Sequence, residues 1–299
     1  MTELNIYLND TWSISLLPTR SIALDGFVRG PHIDTIRQIY SFDHHENCIR
    51  HVTQATCQQV YDALQLGLDP SEFGVYVNDI DGDTVLSVFL LFCFRSYKNQ
   101  ASLDRIQKLV YVVGKVDAHG HHYPLSENDK EIRDVFYKLV MDPVNRWVKA
   151  GKPKENDSRA EFFPSNLMCN CVERLRDVIG RWPQEFNMPQ NPDEKNAQLY
   201  ASGNNWVMIR TEGPVGFSEI YDVHQKDAGV LFSKLPNGRW QYTIAKKSEF
   251  VRFPVCSILE ALARRENGWG GGSTIGGSPR GVGSILEPLE VLSIIKAWT

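Results

Sequence analysis

The sequence lacks the marks of membrane insertion, secretion and disulfide stabilisation. No apolar run reaches the ~18 to 20 residues that cross a bilayer, and the opening segment MTELNIYLND has neither the basic start nor the apolar stretch of a signal peptide. Only six of the 299 residues are cysteine, and their scattered positions do not form a disulfide framework. We therefore expect a cytoplasmic protein with reduced thiols and no membrane partner.

A strong excess of positive charge is also absent. The chain has 32 Lys and Arg against 36 Asp and Glu, and its net charge of −4 argues against a protein that coats nucleic acid through bulk positive charge. Hydrophobic residues make up 42% and charged residues 23%, as in ordinary folded proteins, which excludes global disorder. The length suffices for one large domain or for two domains of ordinary size.

The first 120 residues predict an α/β domain in which short apolar strands alternate with helices. The predicted elements are strands at residues 21–24, 38–42, 74–77 and 109–113, and helices at residues 57–66 and 85–94. This alternation favours a mainly parallel sheet, and such domains carry their chemistry in the loops that follow the strands. We therefore expect the functional residues at the strand ends.

The rest of the chain predicts a helical connection followed by a second, smaller α/β domain. The predicted elements are helices at residues 131–141 and 171–179, strands at residues 206–211, 229–232 and 240–245, and a helix at residues 256–265. Charged, turn-rich segments around the first two helices are typical of exposed loops. We predict a catalytic domain over residues 1–190, which includes the helical connection, and a substrate-binding domain over residues 200–299.

Side chains that bind metal ions follow several of the predicted strands. The tripeptide Asp43-His44-His45 emerges at the end of one strand, and imidazole with carboxylate suits Mn²⁺, Fe²⁺ or Zn²⁺. The strand ends of a parallel sheet meet at one edge, where such groups could hold two ions ~3.5 to 4 Å apart and ionise a water for attack on a phosphoester. The predicted metal ligands are Asp25, Asp43, His44, His45, Asp79, Asp81, Asp83 and Asp117.

The three alternate aspartates in this set, Asp79, Asp81 and Asp83, have two other interpretations. They match the first ligands of a calcium-binding EF-hand loop, but the glycine and the terminal glutamate of that loop are missing from their places, and an apolar helix follows. A turn with exposed aspartates is the other alternative. We favour Asp81 and Asp83 as the ligands, because Gly82 between them permits a tight turn before the helix.

A glycine-rich segment in the second predicted domain is the candidate for phosphate binding. Residues 234–280 contain eight Lys and Arg against three Glu, which is a local excess of positive charge. Glycines let backbone N–H groups approach phosphate oxygens, and hydroxyl and guanidinium groups add donors. A flexible loop is the alternative interpretation. The predicted substrate ligands are Gly270, Gly271, Gly272, Ser273, Thr274 and Arg280.

In these motifs the chain resembles the DHH phosphoesterase superfamily, which includes RecJ-like nucleases, oligoribonucleases, cyclic-dinucleotide phosphodiesterases and inorganic pyrophosphatases. Asp43-His44-His45 matches the tripeptide that names the superfamily, and Asp81-Gly82-Asp83 matches its Asp-x-Asp element. The segment at residues 269–273 is similar to the glycine-rich loop of the family's substrate domain. The resemblance involves short motifs spread over most of the chain.

The resemblance implies a hydrolase that uses two ions of Mn²⁺ or a similar divalent metal. Asp25 matches the aspartate that bridges both ions, and Asp117 matches a later ligand. The resemblance assigns catalytic roles to His44, His45 and Asp83. We therefore expect cleavage of a small nucleotide, a short oligonucleotide or a related phosphate ester rather than of long duplex DNA, because the chain lacks an extended basic surface signal.

The motif order departs from the family pattern, because the Asp-x-Asp element follows the tripeptide instead of preceding it. Val77 stands where the family has a histidine before the Asp-x-Asp element. Ser273 ends the glycine-rich loop, where the family has a second histidine. These departures motivate an alternative function: a nucleotide-binding or regulatory module with reduced catalytic activity. A metal hydrolase acting on a non-phosphate substrate would share the same ligands. The oligomeric state stays open, a homodimer included.

Overall fold

The computed structural model describes residues 3–49, 52–151, 163–181, 196–212, 215–217, 219–248 and 251–299. The chain divides into two compact units. The first unit is Met1–Ala118 with Tyr123–Pro189, and the second is His119–His122 with Gln190–Thr299. The predicted domain boundary at residues 190–200 lies partly outside the described residues, as do parts of the charged loops predicted before it.

The first unit contains a five-stranded sheet with the order β1-β5-β2-β4-β3. The central strand β2 is buried at all four positions, because its sequence SIAL offers no charged side chain to solvent. The pairs β1–β5, β5–β2 and β2–β4 are parallel, whereas β3 lies antiparallel to β4 at one edge. The strands are β1 (Glu3–Ile6), β2 (Ser21–Leu24), β3 (His32–Asp34), β4 (Ile39–Phe42) and β5 (Gly74–Val77).

Among the residues that the structure describes, six α-helices lie in the first unit, and α2 is the most buried of them. Its sequence is apolar around the whole helix, and eleven of its twelve residues are buried. No helix among the described residues is both long enough and apolar enough to span a membrane. The helices are α1 (Thr56–Gln65), α2 (Gly82–Cys93), α3 (Gln100–His119), α4 (Glu127–Val135), α5 (Asp142–Lys149) and α6 (Pro164–Arg181), with a π-helical segment at Phe136–Val140 after α4.

The strand predicted at residues 109–113 is wrong, because these residues lie inside the 20-residue helix α3. The run LVYVV is rich in β-branched side chains, which favour strands locally. However, buried residues recur at helical spacing along α3, at Ile106, Leu109, Val113 and Val116. Asp117 therefore comes from the last turn of a helix and not from the end of a strand.

The second unit contains a six-stranded sheet with the order β10-β11-β9-β8-β7-β6. Its neighbouring strands are antiparallel except for the parallel pair β7–β8. The α/β class predicted from the sequence is confirmed, with the second sheet mostly antiparallel. The elements are β6 (Asn196–Ser202), β7 (Trp206–Glu212), β8 (Ala228–Lys234), β9 (Trp240–Lys246), α7 (Val255–Ala263), β10 (Gly270–Gly271), β11 (Ile275–Gly277) and α8 (Pro288–Trp298).

Candidate metal centre

Asp25 directly follows the buried strand β2, where the backbone makes a sharp bend. Asp25 and Gly26 have φ angles of 51° and 82°, in the left-handed region that aspartate and glycine tolerate better than most residues. The Asp25 carboxylate is buried, and it accepts hydrogen bonds from the hydroxyls of Thr56 at 3.1 Å and Thr84 at 3.4 Å. Burial opposes ionisation, but the adjacent imidazoles of His44 and His45 outweigh it and lower the pKa of Asp25.

Asp43 follows β4, and both of its carboxylate oxygens hold the backbone around it. Oδ2 accepts a hydrogen bond from the Gly30 N–H at 2.7 Å, and Oδ1 accepts one from the His45 N–H at 3.0 Å. The Nδ1 atom of His45 also lies 3.1 Å from Oδ1. Burial opposes ionisation here too, but these hydrogen bonds from His45 and Gly30 prevail and lower the pKa of Asp43 to about 2.

His44 is fully buried, and three carboxylates converge on one of its ring nitrogens. Nε2 lies 2.7 Å from Asp117 Oδ2, 3.5 Å from Asp25 Oδ1 and 3.7 Å from Asp83 Oδ2. Neither ring nitrogen has the geometry of a hydrogen bond to any described residue. Burial alone would lower the pKa of His44, but contacts with Asp117 and Asp25 and the charge of Asp83 raise it to about 10. The site thus demands a positive charge at this point.

Asp83 connects the first turns of α1 and α2. It lies in the first turn of α2 and is buried, and its two oxygens accept hydrogen bonds from the backbone N–H groups of Thr56 and Cys57, each at 2.7 Å. A helix N-terminus attracts a carboxylate in this way because its first N–H groups have no partner within the helix. Burial and the negative charges of Asp117 and Asp25 raise the pKa of Asp83 to about 7.

The other two aspartates of the motif have different surroundings. Asp81 is half-buried and caps α2, since its Oδ1 accepts a hydrogen bond from the Thr84 N–H at 2.8 Å. Burial and the charges of nearby carboxylates, Asp25 first, raise the pKa of Asp81 well above its usual range. Asp79 is exposed, and its Oδ1 accepts a hydrogen bond from the Ile80 N–H.

The side chains converge in two overlapping groups of ligand atoms, one formed by Asp25, His44 and His45 and the other by His44, Asp83 and Asp117. Neighbouring ligands of an octahedral ion with ~2.1 Å bonds lie about 3 Å apart, which is close to the distances around His44 Nε2. The carboxylates of Asp25, Asp83 and Asp117 around His44 would also be stabilised by a cation, since like charges held close together repel one another. The cluster could therefore hold a metal ion, and its mixed nitrogen and oxygen donors fit a divalent transition metal.

The candidate ligands outside these two groups are Asp43, Asp79 and Asp81. The supporting groups that the sequence analysis did not identify are Thr56, Thr84 and the backbone N–H groups at the start of α1. Thr56 is the first residue of α1, and Thr84 lies in the first turn of α2. A threonine at the start of a predicted helix was therefore the sequence signal that could have identified these two supporting side chains. Their meeting at Asp25 depends on tertiary packing, which no local pattern encodes.

The predicted phosphate-binding segment lies in the second unit and forms a small hairpin. Gly270 and Gly271 form β10, and the turn at residues 272–274 closes with a hydrogen bond from the Gly272 N–H to the Ile275 carbonyl at 2.8 Å. Ser273 and Thr274 lie in this turn, and the Thr274 carbonyl accepts a hydrogen bond from the Lys246 N–H. Arg280 follows the hairpin and is exposed.

Two further glycines of this hairpin have a packing role. A Cβ at Gly277 would lie 2.2 Å from the carbonyl oxygen of Tyr242, and one at Gly276 would lie 2.4 Å from Cδ1 of Leu259. Neither distance is compatible with a side chain. A Cβ at Gly276 would also lie 2.7 Å from the Gly270 carbonyl oxygen, so the close approach of β11 to β9 and β10 requires glycine at these positions, independently of any ligand.

Comparisons with known proteins give no family for this chain. No family model and no curated protein matches it. Among solved structures, an uncharacterized protein from Helicobacter pylori aligns with 93% of this chain and 98% of its own length, at 13% identity and a TM-score of 0.19. A similarity at that level carries no argument about fold or function.

Proposed function

We propose that the protein is a divalent-metal-dependent phosphoesterase of the DHH type, which hydrolyses a small nucleotide, a short oligonucleotide or a related phosphate ester. The observation that carries this proposal is the pair of overlapping ligand groups that share His44. Both groups consist of the imidazole and carboxylate residues on which the family resemblance rests. A mainly parallel catalytic sheet with a separate substrate-binding domain belongs to the same proposal.

Two ions, with Mn²⁺ as the expected metal, would be held by different sides of the cluster. Asp25, His44, Asp83 and Asp117 surround the first position, and His45 with Asp25 faces the second. When bound, such ions lower the pKa of water and withdraw charge from a phosphoryl group. The His45 side chain is 37% exposed, whereas that of His44 is fully buried, so a substrate would approach from the His45 side.

The protein's own contribution is to hold these groups in place before a substrate arrives. Thr56 and Thr84 fix the Asp25 carboxylate, and two backbone N–H groups fix Asp83. Such preorganisation lowers a reaction barrier, because no reorientation is needed in the transition state. Asp43 adds to it by accepting hydrogen bonds from the backbone N–H groups of Gly30 and His45, which fixes the loop that carries both histidines.

The substrate class follows from charge. The second unit has a local excess of Lys and Arg around its glycine-rich hairpin, whereas the whole chain has a net charge of −4. A local basic region attracts a small anion, but a long duplex requires an extended basic surface. A short phosphate ester is therefore the substrate that we propose.

A comparison of two aspartate variants tests this function. The protein is stripped with EDTA and titrated with Mn²⁺, and hydrolysis of bis-p-nitrophenyl phosphate and of dinucleotides is measured. We expect Asp83→Asn to weaken Mn²⁺ binding by about tenfold or more and to abolish turnover, since the buried Asp83 contacts His44. Asp79→Asn makes the same change of charge at an exposed position of the same loop, and it should retain both properties.

The other outcomes separate the alternatives. Wild-type protein that binds no divalent ion and cleaves no phosphodiester contradicts the proposal. Binding of Mn²⁺ and nucleotide without hydrolysis favours the regulatory module, and cleavage of carboxylic esters or amides alone favours the non-phosphate hydrolase. Equal losses in the Asp79 and Asp83 variants would make Asp79 a ligand in place of the missing histidine, and unchanged Mn²⁺ binding in Asp83→Asn contradicts the assignment of Asp83.

A further inference from the structure

The π-helical segment Phe136–Val140 brings an aromatic pair against the turn of the Asp-x-Asp element. A Cβ at Gly82 would lie 3.0 Å from Cε1 of Phe136 and 3.2 Å from both Cε1 and the hydroxyl of Tyr137. The Tyr137 hydroxyl therefore reaches the backbone between Asp81 and Asp83. Single π-helical turns recur at functional sites in proteins, because they aim a side chain that a regular helix would direct elsewhere.

The hydroxyl of Tyr137 is a hydrogen-bond donor held beside the Asp-x-Asp element. Its ring is half-buried and packs edge-on against Phe136, with 5.2 Å between the ring centroids. A neutral phenol among carboxylates is a hydrogen-bond donor that adds no charge to compete with a metal ion.

We propose that Tyr137 is a positioning residue of the metal centre, whose hydroxyl lies against Gly82 and donates a hydrogen bond to a carboxylate oxygen of Asp81 or Asp83 on either side of it. This inference rests on the proposed metal-dependent function. Carboxylate ligands have several lone pairs, and a donor that engages one of them determines which oxygens face the ion. The backbone donors of α1 perform that task for Asp83, and Tyr137 would perform it from the side of the π-helical segment.

The test removes the hydroxyl oxygen of the Tyr137 side chain and measures the affinity of the protein for Mn²⁺ directly. Tyr137→Phe keeps the ring that packs against Phe136 and Gly82, so the metal-free protein should unfold at the wild-type temperature. We expect the dissociation constant for Mn²⁺, measured by competition with a chelating dye, to rise by about tenfold to a hundredfold. Tyr97→Phe is the matched control, since Tyr97 is also a half-buried tyrosine of the first unit but packs against Phe89.

A second variant separates positioning from packing. Tyr137→Leu removes both ring and hydroxyl, and it should lower both the thermal stability and the Mn²⁺ affinity. If Tyr137→Phe has the thermal stability of the wild type but the weakened Mn²⁺ affinity of Tyr137→Leu, the hydroxyl acts as proposed. If it has the wild-type value of both, or if Tyr97→Phe weakens Mn²⁺ binding equally, the inference is overturned. Wild-type protein that binds no Mn²⁺ would instead overturn the proposed function on which it rests.

Discussion

Asp43 differs from the two histidines that follow it in what its side chain contacts. Its oxygens accept hydrogen bonds from the backbone N–H groups of Gly30 and His45, whereas His44 faces carboxylates. Gly30 has a φ angle of 81°, and a Cβ there would lie 3.1 Å from Cβ of Asn47, so this close turn favours glycine. The first residue of the tripeptide thus fixes the loop that carries the other two.

The depressed pKa of Asp43 predicts how metal-free protein responds to acid. Because the pKa falls from 3.8 to about 2 on folding, the ionised carboxylate stabilises the fold above pH ~4, and this stabilisation is lost as the pH falls from ~4 to 2. The shift corresponds to about 2 kcal/mol. We expect Asp43→Asn to lower the free energy of unfolding by up to about this amount at pH 7, measured by urea denaturation in EDTA.

The same experiment repeated in acid provides the check. Between pH 4 and 2 the stability of Asp43→Asn should decline less steeply than that of the wild type, because the variant has no carboxylate to protonate at this position. Parallel pH profiles for the two proteins would contradict the role that we assign to Asp43.

At the scale of secondary-structure elements, the short buried strands were the most predictable part of the fold. The predicted strands at residues 21–24 and 74–77 agree with β2 and β5, because each is a compact apolar run between turn-forming segments. α3 was not predictable from its middle, since LVYVV is compatible with a strand until the spacing of the whole helix is considered.

The residues that cluster at the candidate site could be predicted from the sequence, but the groups that support them could not. Each member of the two ligand groups belongs to a motif visible in the sequence. The groups that hold them include the N–H groups of Thr56 and Cys57, and backbone donors have no sequence signature. Their presence at Asp83 follows from the packing of α1 against α2, which depends on the whole core.

The contact between α1 and α3 gives a prediction for a single methyl group. A Cβ at Gly114 in α3 would lie 2.5 Å from Cδ and 2.6 Å from Cγ of Gln58, whose Oε1 accepts a hydrogen bond from the Ala55 N–H at the start of α1. Gly114→Ala should therefore destabilise the protein by about 1 to 3 kcal/mol, measured by chemical denaturation, despite the better helix propensity of alanine.

Gly180 in α6 is the control for this change. A Cβ there would meet no atom within 4 Å, so Gly180→Ala should show only the favourable propensity effect of roughly 0.5 to 1 kcal/mol. If both substitutions change stability in the same direction, Gln58 moves aside without cost, and the close packing of the two helices is not required.

At the scale of the whole molecule, the two units have separate cores and different sheets. The parallel pairs β1–β5, β5–β2 and β2–β4 belong to the unit with the candidate metal centre. The mostly antiparallel sheet belongs to the unit with the glycine-rich hairpin. The proposed division of work, metal binding in one unit and phosphate binding in the other, predicts that the two functions can be impaired separately.

Arg280 provides the test of that division. A charge-assisted hydrogen bond contributes ~1.5 to 3 kcal/mol, so Arg280→Ala should raise the KM for a phosphate ester by roughly tenfold to a hundredfold. The Mn²⁺ content and the melting temperature should not change, since Arg280 is exposed in the second unit. Arg264→Ala, also at an exposed arginine of that unit, should leave the KM unaltered. A normal KM in the Arg280 variant would exclude it as a phosphate ligand.

The pairing of β1 with β5 has a consequence for how the chain folds during its synthesis. Glu3 pairs with Gly74, roughly seventy residues later, and a ribosome adding ~5 to 20 residues per second needs roughly 4 to 14 s to produce that segment. For this interval β1, with Leu4 and Ile6, has no partner strand, and unpaired strand edges readily associate with other chains. The speed of translation and the protection of the nascent chain therefore bear directly on the yield of folded protein.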